Sequence, residues 1–132
     1  MNHFCKIKQP GFTLIEILVV VLILAALAAM IIPNALRARM NANDVMAQAT
    51  LKTIAAGMEN FLVIEGNYPT ATDELVNLTP PYINKDFFAG THAGFIYGAT
   101  LASYAYTLTA SPVDLGKTGS TTYTITTGGI FQ

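Results

Sequence analysis

The sequence predicts an α+β protein, in which a long N-terminal helix packs on a small antiparallel β-sheet. The first half of that helix is transmembrane and the second half is amphipathic. Three observations predict this. From Phe12 to Ile32 every residue except Thr13 and Glu16 is apolar, and at about 1.5 Å per helical residue the run covers roughly 31 Å, the depth of a bilayer's hydrocarbon core. Beyond Pro33 the apolar residues recur at spacings of three, four or seven, with no turn signal before Gly66. From about residue 94 the period shortens to two and threonine, tyrosine and glycine take over, the mark of half-buried strands.

Residues 1–11, MNHFCKIKQPG, form a short leader carrying Lys6 and Lys8 and no acid. Positive charge beside an apolar helix holds that end on the cytoplasmic side, which places the rest of the chain outside. A secretory signal is cut after its apolar region. Here the candidate processing point, Gly11, precedes it, and Pro10-Gly11 interrupts any helix and leaves the segment accessible. Glu16 is the anomaly: a carboxylate near bilayer depth costs a few kcal/mol and calls for a partner. Cleavage after Gly11 supplies one, because the new amino terminus on Phe12 is a cation four residues from Glu16. Among parallel, staggered helices the amine of one subunit reaches the carboxylate of the next, and the pair costs far less than either charge alone.

Gly11-Phe12-Thr13-Leu14-Ile15-Glu16, followed by a long apolar helix with a proline at its far end, resembles the class III leader and N-terminal helix of type IV pilins and type II secretion pseudopilins. The resemblance is carried by residues 6–34. It implies that a prepilin peptidase cuts between Gly11 and Phe12 and methylates the new amine, and that Glu16 and Phe12 guide entry of the subunit into a filament. It also implies local unwinding of the helix before Pro33. Many relatives have a glycine eight residues ahead of that proline; this chain has Ala25, so the expected kink rests on Pro33 alone, which removes a backbone donor and crowds the carbonyl of Ala29.

The remaining elements follow in order. Met40, Ala47, Leu51, Ile54, Met58 and Phe61 make a stripe along one face, with Asn41, Gln48, Lys52 and Glu59 assigned to the other, so the helix continues to about residue 63. Gly57 inside it costs about 1 kcal/mol relative to alanine and suggests a close approach. Glu65 to Thr70 is a turn, and its Asn-Tyr-Pro-Thr sequence resembles the same region of major pseudopilins and, less specifically, of several type IV pilins. Thr72 is the expected N-cap of a short helix to about Leu78, stopped by Thr79-Pro80-Pro81. Strands are expected at residues 95–99, 103–110 (Tyr104, Tyr106 and Leu108 on one face), 121–126 (Tyr123 and Ile125 inward) and 130–131. The domain plan is a leader at 1–11, a transmembrane or filament-core helix at 12–33, and an amphipathic helix with a C-terminal sheet at 34–132.

No catalytic constellation accompanies this plan. His3 and His92 stand apart from any cysteine, second histidine or acid at ligand spacing, no serine has a triad partner in view, and no glycine-rich phosphate loop occurs. No metal site and no cofactor are expected. Relatives in type II secretion bind calcium in an acid-rich C-terminal loop, but the matching stretch 112–120 offers Asp114 as its one carboxylate, too few for a hard cation. The formal net charge is -1, and losing Lys6 and Lys8 with the leader leaves five basic residues against eight acidic ones, so no direct nucleic-acid partner is expected. Arg37 and Arg39 lie on the side assigned outside, against the usual charge bias.

The reading is therefore a non-enzymatic structural subunit of a type IV pilus-like filament, leaning to a major pseudopilin of a type II secretion system. Its alternatives are a surface type IV pilin serving adhesion, motility or DNA uptake, and a membrane-anchored periplasmic binding module. The partners implied are further copies of the chain in a helical homopolymer, prepilin peptidase, an inner-membrane assembly platform with minor pilins, and membrane lipid before extraction. The expected location is the bacterial inner membrane as a precursor, then a periplasmic or cell-surface filament.

Overall fold

A computed structural model describes residues 11–132; the expectations at His3, Lys6, Lys8 and Pro10 lie outside the described residues. Helix α1 spans Leu14–Glu65, α2 spans Glu74–Asn77, and four strands follow: β1 Phe95–Ala102, β2 Ala105–Pro112, β3 Tyr123–Thr126 and β4 Ile130–Phe131. By its contacts the chain divides into one unit ending at Ala35 and a second of Leu36–Gln132.

In the first unit, α1 is built from leucine, isoleucine, valine and alanine with its backbone hydrogen bonds closed on itself, the only economical arrangement for a single segment in hydrocarbon. None of its most apolar stretch is buried. The helix runs through Pro33, whose missing N–H leaves the Ala29 carbonyl without its usual donor. One residue on, the Asn34 side-chain amide donates to the Met30 carbonyl at 3.2 Å.

In the second unit, α1 buries Asp44, Ala47, Leu51, Ile54, Ala55, Gly57, Met58 and Phe61, so the predicted stripe is the packed face, with Met40 half-buried at its margin. The sheet is an antiparallel meander in the order β1-β2-β3-β4. Its register aligns Tyr97 with Ala110, Ala99 with Leu108, Leu108 with Ile125, and Ile125 with Phe131. Because side chains alternate across a sheet, this pairing puts Phe95, Tyr97, Tyr106, Leu108, Ala110 and Ile125 on one face, all buried. Gly57 is buried against the segment ahead of β1: a Cβ there would stand 2.6 Å from Cγ2 of Ile83, the close approach its place in the helix implies. The Leu75 carbonyl accepts from the amides of Tyr82 and Ile83, at 2.9 and 3.1 Å, and so turns the chain back to bring Ile83 there.

Four local expectations are corrected. Thr72 is not the N-cap of α2; Asp73 holds that position, and its side chain makes no capping bond, while the Thr70 hydroxyl donates to the Glu74 carboxylate at 2.8 Å. Strand β1 runs on to Ala102, because Leu101 still has a place over Tyr106. Strand β2 starts at Ala105, since Ser103-Tyr104 is the turn joining the two strands; Tyr104 therefore leaves the inner face and is 84% exposed. Strand β3 begins at Tyr123 rather than residue 121.

Candidate functional site

The site marked by the sequence is the start of α1. Gly11 to Thr13 are non-helical and exposed, and Gly11 has no atom within 4 Å of where a Cβ would sit. Thr13 is the residue before the first helical turn and Glu16 the third within it. The Glu16 amide donates to Thr13 Oγ1 at 3.4 Å. In return Glu16 Oε2 accepts from the Thr13 amide at 3.2 Å and from its hydroxyl at 3.0 Å. This is a reciprocal capping box, in which two otherwise orphaned helix-start amides are satisfied. The carboxylate also faces the positive end of the helix dipole. Both bonds fall on Oε2, and Oε1 takes none among the described residues.

The structure thus joins Glu16 to Thr13, a pairing that reading Glu16 only as a buried-charge problem misses. The signal was a threonine three residues ahead of a glutamate at the head of an apolar run. Phe12 is exposed directly before the cap, and Pro33 sits inside α1.

Two further acids on α1 do structural work that was not foreseen. Asp44 is 7% exposed; its Oδ1 and Oδ2 accept from the Ser120 backbone amide at 2.9 and 3.3 Å, while Nδ2 of the neighbouring Asn43 donates to the Thr118 carbonyl at 2.9 Å. Gly119 lies between, where a Cβ would collide with the Phe95 ring. Asp44 keeps the spacing of the apolar stripe, three residues before Ala47, so an acid in that register was the available signal.

Glu59 does not lie on the solvent side as assigned; it is half-buried. Its Oε1 accepts from the Tyr106 hydroxyl at 2.9 Å and the Gly128 amide at 3.0 Å, and the Tyr68 hydroxyl lies 3.1 Å from Oε2. Tyr106 in turn accepts from the Gly129 amide at 3.2 Å. Burial, and then the Glu59 carboxylate, push the Tyr106 and Tyr68 hydroxyls above the usual tyrosine range. One carboxylate so ties α1 to β2, to the turn after the helix and to the last hairpin.

Among the described residues no group of three or more histidines, cysteines or acids is placed to hold a metal. Asp114 contributes its backbone to the loop, its amide donating to Thr118 Oγ1 at 3.0 Å and its carbonyl accepting from the Thr118 amide at 2.9 Å. His92 packs edge-on against Phe87 with ring centroids 5.7 Å apart.

Comparison with known proteins agrees with the helix-start geometry. Residues 6–32 match the prokaryotic N-terminal methylation motif. The chain is 41% identical over 71 residues to the type IV wide pilus major component PilA4 of Thermus thermophilus, a match covering 54% of each chain. It is 38% identical over 68 residues to the type II secretion system core protein G of Pseudomonas aeruginosa, covering 52% of this chain and 48% of that one. The core protein G of Escherichia coli is 31% identical over 71 residues, covering 54% and 49%. The chain spans about half the length of the curated relatives it matches. In its methylation motif and the helix that carries it, the chain is similar to type IV pilins and type II secretion pseudopilins.

Proposed function

We propose that the chain is a structural subunit of a type IV pilus-like filament, of the major pseudopilin kind, and not an enzyme. The observation that carries this reading is the first unit of α1: an apolar helix with none of that stretch buried within its own chain, headed by a carboxylate with one oxygen unbonded among the described residues. Lipid covers such a helix before assembly and the helices of neighbouring copies cover it afterwards. Similarity to core protein G in several species supports the secretion-type filament over the surface pilus.

In this reading a prepilin peptidase cleaves between Gly11 and Phe12 and methylates the Phe12 amine. Glu16 of an incoming copy meets the Phe12 amine of a copy already in place, at an inner-membrane platform primed by minor subunits. Pro33, with the Ala29 carbonyl unpaired, is the point at which α1 yields as copies pack. The chain moves from the inner membrane into a periplasmic filament. Mass spectrometry of the protein purified from its host tests the scheme: the expected species begins at Phe12 and carries one added methyl group. Protein that still holds residues 1–11 in the assembled fraction would overturn it.

A further inference from the structure

The second unit carries a groove beside the part of α1 that follows Pro33. Leu36, Arg37 and Met40 form one wall and Gly116 and Lys117 the other, around a volume of about 340 Å³. That is the scale of a single small ligand rather than a folded partner. Arg37 and Met40, three residues apart, and Leu36 and Met40, four apart, share one face of α1. The opposite wall is held in place by the 114–118 turn, in which the Lys117 amide donates to the Asp114 carbonyl at 3.1 Å and Gly116 takes a φ of +80°. Lys117 is exposed and lines the groove.

The surroundings repeat the same chemistry. Leu36 is 61% exposed and Leu115, at the tip of the turn, 71% exposed. Arg39 flanks Leu36 on α1, so three of the five cations among residues 12–132 gather here. The nearby acids are Asp44, buried and bonded to the Ser120 amide, and Asp114 on the turn. Exposed leucines ringed by cations are the composition of a surface that sits in a lipid interface.

The chain also fixes how far this groove is from hydrocarbon. The apolar run ends at Ile32, and α1 is helical from there to Leu36, about 6 Å of rise. Even fully extended, four residues reach no more than about 14 Å, so the Leu36 end of the groove lies within or just outside the headgroup layer, roughly 5–8 Å thick on each side.

We infer that the groove between Leu36, Arg37, Met40 and Lys117 is a binding site for the phosphate headgroup of an anionic membrane lipid, occupied while α1 spans the bilayer. The inference rests on the spanning reading of residues 12–32. Arg37 and Lys117 bind the phosphate, while Leu36, Met40 and Leu115 rest on the glycerol and upper acyl chain. The site accounts for cations on the side of the membrane where the charge bias does not ask for them.

The test uses the full chain with Cys5→Ser and an environment-sensitive dye on Leu115→Cys. The protein is reconstituted in vesicles of phosphatidylcholine alone or mixed with phosphatidylglycerol, each doped with a lipid-borne quencher. Quenching is expected with phosphatidylglycerol and not without it, and it should weaken in about 1 M salt, where the Debye length falls to about 3 Å. Each cation near an anionic surface contributes roughly fivefold in affinity, so Arg37→Gln with Lys117→Gln should raise the phosphatidylglycerol needed by roughly 25-fold and abolish the signal. Equal quenching in both lipids, or quenching that follows protein density rather than lipid charge, would overturn the site, the latter in favour of a second copy as occupant. A parallel dye on Ile23→Cys reports the span itself. If Ile23 is quenched and Leu115 is not, the headgroup site is wrong and the span stands; if neither is quenched, the spanning reading fails and the site with it.

Discussion

Replacing Glu16 by glutamine separates its two roles, because the structure assigns it a local bond and the filament reading assigns it a charge. Glutamine at the third helical position also completes a capping box, so Glu16→Gln keeps the bonds from the Thr13 amide and hydroxyl and loses only the charge. Thr13→Val does the reverse. Loss of a cap costs about 1 kcal/mol, roughly a fivefold effect on helix start. Removing one partner of an ion pair in a low-dielectric bundle costs about 3–5 kcal/mol, more than a hundredfold. If charge governs recruitment, filaments sheared from cells and quantified by immunoblot should fall more than about a hundredfold for Glu16→Gln and at most about fivefold for Thr13→Val. Processing at Gly11 and membrane integration should persist in both. Normal filament yield with Glu16→Gln would refute the pairing of Glu16 with the Phe12 amine and leave capping as the whole role of the residue.

Gly57→Ala gains about 1 kcal/mol of helix propensity but sets a methyl 2.6 Å from Ile83, which is buried. Overpacking costs about 1–3 kcal/mol, so denaturant melts in detergent should show net loss, turning to gain when Ile83→Ala opens the space. Asp44→Ala leaves the Ser120 amide without its acceptor and should cost about 1–3 kcal/mol, visible first as faster hydrogen exchange at residues 114–120. Tyr106 and Tyr68 hold their protons above the ordinary value of 10.0 in the folded state, so the unfolded chain ionises first. Their contribution is complete below pH 10 and is lost as pH rises beyond it, Tyr106 giving the steeper part. Tyr106→Phe should flatten that alkaline limb in pH-dependent melts, and an unchanged limb would count against the assigned cause.

The helix and the sheet were legible because their periods are long-range averages: the stripe from Ala47 to Phe61 and the alternation from Phe95 to Ile125 each repeat often enough to outvote single residues. Misreadings fell where one residue decides. Tyr104 continues the alternation on paper, but the two-residue turn at Ser103-Tyr104 takes it off the sheet, and only the Ala102–Ala105 pairing reveals that. Glu59 looked solvated because it falls off the apolar stripe of its helix; the tyrosine hydroxyls that hold it come from residues 9 and 47 positions away. At the helix start the motif pointed to Glu16 through its charge and concealed the plainer fact that Thr13 and Glu16 cap each other.

The placing of Asp44 and Glu59 bears on mechanics. They stand fifteen residues apart on α1, about 22 Å, and each bonds chain that follows β1 in sequence. Tension drawn along the helix therefore enters the sheet at two separated anchors loaded side by side, so neither can be peeled open before the other shares the load. A strut pinned at both ends transmits a pull without rotating its cargo. A subunit that must be drawn out of a membrane by its helix, with its sheet intact, needs that kind of coupling.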